Sequence, residues 1–116
     1  MTANSTTVES VYDPELALRL TGQQSDLAAD MLAGLLRTLP IALTDIYSAA
    51  EQQDFTTLKK TLHKLRGLIC YCGVPRLNRA VIALETAIKE NKPIAEFIRL
   101  LSEESAALKK FSVTAD

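Results

Sequence analysis

From Asp13 onward, apolar residues recur at every third or fourth position, and no segment of any length alternates as a half-buried strand does. The first such stretch, "DPELALRL", predicts a short helix. Asp13 can cap it, Pro14 suits its first position, and Gly22 follows soon after its end. In "SDLAADMLAGLLRTLPIALTDIYSAAEQQ" the apolar positions are Leu27, Met31, Leu35, Leu39, Leu43 and Ile46. Their stripe continues in phase across Pro40, which predicts one long helix bent at that proline rather than two helices.

Three further helices follow from the same spacing. Asp54 caps "FTTLKKTLHKLRGLICYC", with Gly73 as its end and Leu58, Leu62, Leu65, Ile69 and Cys72 as its core stripe. Pro75 opens "PRLNRAVIALETAIKEN", with Leu77, Ala80, Val81, Leu84 and Ile88 on one face. Pro93 opens "PIAEFIRLLSEESAALKKF", whose stripe is Ile94, Phe97, Ile98, Leu101, Ser105 and Leu108. Short breaks imply antiparallel neighbours, and single apolar faces are buried most simply in a bundle. The predicted fold is all-α: an antiparallel up-down four-helix bundle with a short additional N-terminal helix capping one end. Residues 11–113 form the bundle in this reading, residues 1–10 a flexible polar linker and residues 114–116 a tail.

Composition narrows the function little. The 116 residues suit one domain, and the net charge of −1 gives no global attraction to nucleic acid or anionic lipid. With three Tyr, three Phe and no Trp, there is no base-stacking platform. No stretch reads as long and apolar enough to span a membrane, and "MTANSTTVES" lacks the apolar core of a signal peptide. Cys70 and Cys72, two apart on a helix, diverge too far to pair or to share a metal, and free thiols suit a reducing compartment.

The candidate chemistry lies in "LHKLRGLICYCG", residues 62–73, which holds the single histidine. At about 100° per residue, His63 falls roughly 140° from the centre of the core stripe and faces water. Lys60, Lys64 and Gly67 share that outer side, with Lys59, Arg66 and Cys70 flanking it. The segment "KKTLHKLR" has no acid, so the basic charge is local. Gly67 costs a helix interior roughly 1 kcal/mol relative to alanine, and it points away from the core. Close approach of another molecule to the backbone is the reason left for it. Singly, a surface histidine, a lysine run or a helix glycine is usually unremarkable; their meeting on one face is not.

Neutral imidazole is a nucleophile at physiological pH, since an unperturbed histidine titrates near about 6.5. It can accept a phosphoryl group and release it again, chemistry that asks mainly for positioning and charge stabilisation. No Gly-rich phosphate loop, Walker pattern or metal cluster is present to handle a nucleotide. Such a chain has no ATP-dependent kinase activity of its own. It would draw the phosphoryl group, and any Mg²⁺, from a partner.

The pattern His-x-x-(Lys/Arg)-Gly, with a second glycine six residues later, is met in register by His63, Arg66, Gly67 and Gly73. In this it resembles the histidine phosphotransfer (HPt) motif. "VPRLNRAVIALETAIK" and "LALRLTGQQSDLAADMLAGLLRTLP" are similar to the HPt domain at the C-terminus of BarA/GacS-type hybrid sensor kinases. The likeness runs from about Val11 to Lys110. Leu68, after the first glycine, is apolar where many HPt domains carry a small or polar residue. The resemblance implies a phosphocarrier in a two-component phosphorelay: a receiver domain's phospho-aspartate donates to Nε2 of His63, and another receiver's aspartate accepts. It implies that Arg66 and Lys64 neutralise phosphoryl oxygens and that Gly67 gives the receiver clearance. It also implies a monomeric domain without cofactor or direct membrane contact, on the cytoplasmic side of an inner-membrane kinase.

Two other readings stay open on the residues alone. A dimerising histidine-kinase hairpin also exposes a histidine, although those usually show His-Glu and then Arg and Pro, where this chain has "HKLRGL". A helical interaction bundle without chemistry is the other. A metal or haem site finds no adequate ligand set in one His and two divergent Cys.

Overall fold

A computed structural model describes residues 10–114. Among them are five helices and no strand: α1 (Pro14–Leu20), α2 (Ser25–Glu51), α3 (Phe55–Ile69), α4 (Pro75–Lys89) and α5 (Ala95–Thr114). Of the expected linker, residues 1–10, all but Ser10 lies outside the described residues, as do residues 115 and 116 of the expected tail, 114–116; Thr114 is the last residue of α5 rather than the start of a tail. Helices α2 to α5 pack as a bundle in which α3 lies against both α2 and α4, α5 packs chiefly on α4, and α1 lies on α2.

The helix starts follow the capping chemistry. Asp13 accepts the Leu16 amide at 3.1 Å, and Asp54 accepts the Thr57 amide at 3.1 Å and its hydroxyl at 2.7 Å. Those two bonds hold the Asp54 carboxyl below its ordinary pKa. Pro14 and Pro75 occupy first-turn positions. Pro93 does not open α5: the helix begins two residues later, with the Ile98 amide bonding back to the Ile94 carbonyl at 2.9 Å. Helix α2 runs unbroken through Pro40, as the in-phase stripe requires.

The core stripes of α3 and α4 are as the spacing predicts: Leu58, Leu62, Leu65, Ile69 and Cys72 are buried, as are Leu77, Ala80, Val81, Leu84 and Ile88. The stripe of α2 is rotated from the expected one. Leu27 is 39% exposed, Met31 and Leu43 are half-buried, and the small residues Ala28, Ala42 and Ala49 are buried beside Leu35, Leu39 and Ile46. Alanine lets α2 approach its neighbours closely, and a pattern weighted toward large side chains overlooks it. At 27 residues α2 is also long and apolar enough to cross a membrane by length and composition, contrary to the expectation that no stretch is. In this fold its Leu35, Leu39 and Ile46 are core residues shared with α3 and α4.

Helix α3 stops at Ile69, three residues short of Cys72. Its last amide bonds tighten to i→i−3 steps, Tyr71 to Leu68 at 3.3 Å and Cys72 to Ile69 at 3.0 Å. Gly73 closes that turn at φ +68°, a left-handed conformation that disfavours a side chain. A Cβ on Gly73 would lie 2.8 Å from both the Ala17 nitrogen and the Asp13 carbonyl oxygen. The Asp13 amide donates to the Gly73 carbonyl at 2.8 Å. Gly73 is thus the seat of α1, and its role extends beyond ending a helix.

Candidate functional site

The rotation of α3 fixes what its outer face presents. Leu58, Leu62, Leu65 and Ile69 are each at most 3% exposed. Full burial of such a side chain stabilises by ~1.5–3 kcal/mol, so four of them far outweigh the ~1 kcal/mol cost of Gly67. His63 is exposed in mid-helix and makes no hydrogen bond or ion pair among the described residues. Gly67 lies one turn on. A Cβ there would meet nothing within 4 Å, so the space over the backbone beside His63 is open.

Cys70 lies two turns beyond His63, in line with it and with Gly67. It is exposed, and its thiol donates to the Gly67 carbonyl at 3.1 Å, satisfying one of the helix's last acceptors. Cys72 differs in burial. It is buried, its thiol lies 3.3 Å from the Leu68 carbonyl and 3.5 Å from the Met31 carbonyl, and burial pushes its pKa up to about 11. The divergence expected of the two thiols is what the fold displays.

Lys59, Lys60 and Lys64 are exposed on the same helix. With Arg66 they give α3 four cations and no acid within Phe55–Ile69, in a chain whose net charge is −1. Arg66 is less available than its sequence context suggests. Its Nη1 donates to Glu85 Oε1 of α4 at 3.0 Å, with the arginine side chain 50% and the glutamate 24% exposed. Sequence reasoning missed Glu85 because it looked for acids on the histidine's own helix. The signal available was that Glu85 is the single acid of α4.

Ile41 was also missed. At 67% exposure it is the most exposed large apolar side chain among the described residues. It lines a cavity of about 210 Å³ between α2 and α3 together with Thr38, Asp45, Thr61 and Lys64. Pro40, beside it in sequence, is exposed and its carbonyl accepts the Thr44 hydroxyl at 3.0 Å.

The described residues therefore bring together an exposed imidazole, an open glycine, a bonded cysteine, three exposed lysines and an arginine held by a carboxylate. The Hpt domain model matches residues 30–110, a span that includes all of them. The sensor protein GacS of Pseudomonas syringae pv. syringae is 44% identical over 86 residues, 74% of this chain and 10% of GacS. The signal transduction histidine-protein kinase BarA of Escherichia coli K12 is 34% identical over 98 residues, 81% of this chain and 11% of BarA. The crystal structure of the HPT domain from a Shewanella hybrid histidine kinase superposes with a TM-score of 0.71 at 32% identity, covering 91% of this chain and 97% of that one. The chain spans about a tenth of the length of the curated relatives it matches. Fold, motif register and these likenesses agree, and the chain belongs to the Hpt domain family.

Proposed function

We propose that this domain carries a phosphoryl group on His63 between receiver-domain aspartates, within a larger hybrid sensor kinase. HPt domains of hybrid kinases work with receiver domains in phosphorelays. One observation carries the assignment to this residue: the exposed imidazole lies one turn from a glycine above which there is nothing within 4 Å. A concave receiver site can close over such a convex face, and the phosphoryl group passes to Nε2 in line with the departing aspartate oxygen.

Arg66 and Lys64 stabilise the transferred charge, and Lys59 and Lys60 favour encounter with an acidic receiver site. Mg²⁺ belongs to the receiver in this reading. The domain works as a monomer on the cytoplasmic side, without direct membrane contact, and its partners are response-regulator receiver domains.

The test is incubation with a ³²P-labelled phospho-receiver. Label should pass to the wild-type domain as acid-labile, alkali-stable phosphohistidine. His63→Gln should remain folded by circular dichroism, since the side chain is exposed, and should accept none. A folded His63→Gln domain that takes label undiminished removes the assignment.

A further inference from the structure

The outward positions of α3 run from His63 through Gly67 to Cys70, which stands only about 20° round the helix from the histidine and ~10 Å along it. Cys70 is exposed, and it also lines a recess of about 320 Å³ at the end of α3, between α1 and α4. Leu16 and Leu20, one turn apart on α1, and Ile82 of α4 make its apolar wall, with Asn78 and Arg79 beside them. Leu20 is 38% and Ile82 37% exposed, so both still hold apolar surface that a partner can cover. The recess depends on the seating of α1 against Gly73, which also lines it.

The size of the body that must reach His63 decides what covers this recess. A protein interface of ordinary size takes ~800 Å² from each partner, the area of a disc ~16 Å in radius. Centred on the imidazole, such a disc extends past Cys70 to the mouth of the recess. The ground between is open: a Cβ on Gly67 would meet nothing within 4 Å, and the Cys70 thiol is folded back onto the Gly67 carbonyl at 3.1 Å. The other flank of α3 is turned away. Thr61 and Leu65, which wall the cavity beside Ile41, each lie about 160° round the helix from His63. Charge favours the same side. The cations of α3 select an acidic partner, and Asp45 lines the Ile41 cavity whereas no acid lines the α1–α4 recess.

We propose that the receiver domain exchanging phosphoryl with His63 docks by placing an apolar side chain in this recess, against Leu20 and Ile82. The inference rests on phosphotransfer at His63 and adds the point of grip. Interface centres are apolar and poor in charge, while the His63 face of α3 carries cations; the recess supplies the apolar contact that face lacks. Leu20 and Ile82 thereby select among receivers: one with a charged group at the matching place, ~10 Å from its aspartate, would strand that charge in the recess and be rejected. The short helix α1, which lies outside the four-helix bundle, becomes part of the docking surface.

The test is single-turnover transfer from the ³²P-labelled phospho-receiver, followed against receiver concentration. Leu20→Ser and Ile82→Ser should each raise the half-saturating concentration at least fivefold, while the rate at saturation stays within twofold of wild type. Leu100→Ser, an equally exposed leucine on α5, should change neither. Both test positions are more than a third exposed, so cooperative thermal unfolding should persist in each variant. Half-saturation unchanged in both variants, with label still passing to His63, overturns this proposal alone. Failure of wild type to take label overturns it together with the phosphotransfer reading. A rise in half-saturation for Ile41→Ser but not for Leu20→Ser would put the receiver on the opposite flank and overturn it. A wild-type dimer in sedimentation equilibrium that Leu20→Ser dissolves would assign the recess to a second copy of this chain and equally overturn it.

Discussion

Arg66 of α3 and Glu85 of α4 form an ion pair, Nη1 to Oε1 at 3.0 Å, one helical turn from the His63 imidazole. The pair crosses between helices, so the cation best placed by the motif to meet a phosphoryl group is partly offset by a carboxylate. Nη2 and Nε remain as further donors of the same guanidinium. Removing the carboxylate charge should release Arg66 toward the phosphorylated state. Glu85→Gln is expected to raise the fraction of label resting on His63 at equilibrium with a phospho-receiver, by no more than about fivefold, because a half-exposed pair is worth ~1 kcal/mol or less. Arg66→Ala should lower that fraction by a larger factor. Equal fractions in all three proteins would show that Arg66 does not sense the phosphoryl group.

Gly67 separates helix stability from docking. Its missing Cβ has open space, so Gly67→Gln should fit without displacing anything and firm α3 by up to ~1 kcal/mol. Thermal unfolding should shift upward by a few degrees for a domain of this size. Transfer from a receiver should nonetheless slow at least tenfold, as the longer side chain occupies the space over His63. A stabilised variant with undiminished transfer would leave Gly67 without a docking role.

Gly73 should behave in the opposite way. At φ +68°, with the Ala17 nitrogen and the Asp13 oxygen each 2.8 Å from where a Cβ would sit, Gly73→Ala is strained by both conformation and contact. A loss of at least ~2 kcal/mol is expected in urea unfolding. Hydrogen exchange should quicken first at the Asp13 amide, which bonds the Gly73 carbonyl. Unchanged stability would mean that α1 re-seats without cost.

The two cysteines give a pH-dependent test. Burial raises the folded Cys72 pKa to about 11, above the ordinary thiol value of 9.0. A raised folded pKa contributes stability that is fully present below pH 9 and lost as pH rises through 11. Stability should therefore fall between pH 9 and 11, with part of that slope absent in Cys72→Ala. Tyr12, raised in the same direction by burial and by Cys72, supplies a further part that the variant partly retains. At about pH 8 a maleimide should label the exposed Cys70 rapidly and Cys72 only at the rate of unfolding. Equal labelling of both thiols would contradict the burial of Cys72.

The helices and the His63 face were legible in the sequence because a 3.6-residue period fixes which side of an isolated helix is wet. Leu58, Leu62, Leu65 and Ile69 placed His63 outside before any fold was known, and the fold keeps it there. What a single helix could not disclose is what neighbours do. Glu85 reaches Arg66 from another element, Gly73 is required by α1 far earlier in the sequence, and Ala42 and Ala49 are buried because helices approach closely over small side chains. The rotated stripe of α2 has the same origin: Leu27 belongs to its apolar pattern but lies beyond the reach of the core.

Charge on the His63 face supports the last prediction. Lys59, Lys60, Lys64 and Arg66 stand on one helix without an acid of its own, in a chain of net charge −1. The attraction they exert is therefore directional, and it is felt over a Debye length of about 8 Å at physiological ionic strength. A carboxylate-rich receiver site should be steered to this face, and its association rate should fall as salt rises. The four cations should not act alike. Lys59 is exposed one turn before His63, so Lys59→Ala should lower the association rate by a modest factor, about two- to threefold, and leave transfer within the complex unchanged. Arg66 is tethered by Glu85 near the nucleophile, so Arg66→Ala should slow transfer within the complex as well. Stopped-flow transfer from a phospho-receiver at several salt concentrations, for wild type and both variants, separates the two steps. Association that ignores salt removes the steering role of the lysines. An Arg66→Ala domain that transfers normally once bound removes the arginine from the chemistry, leaving His63 and the open space over Gly67.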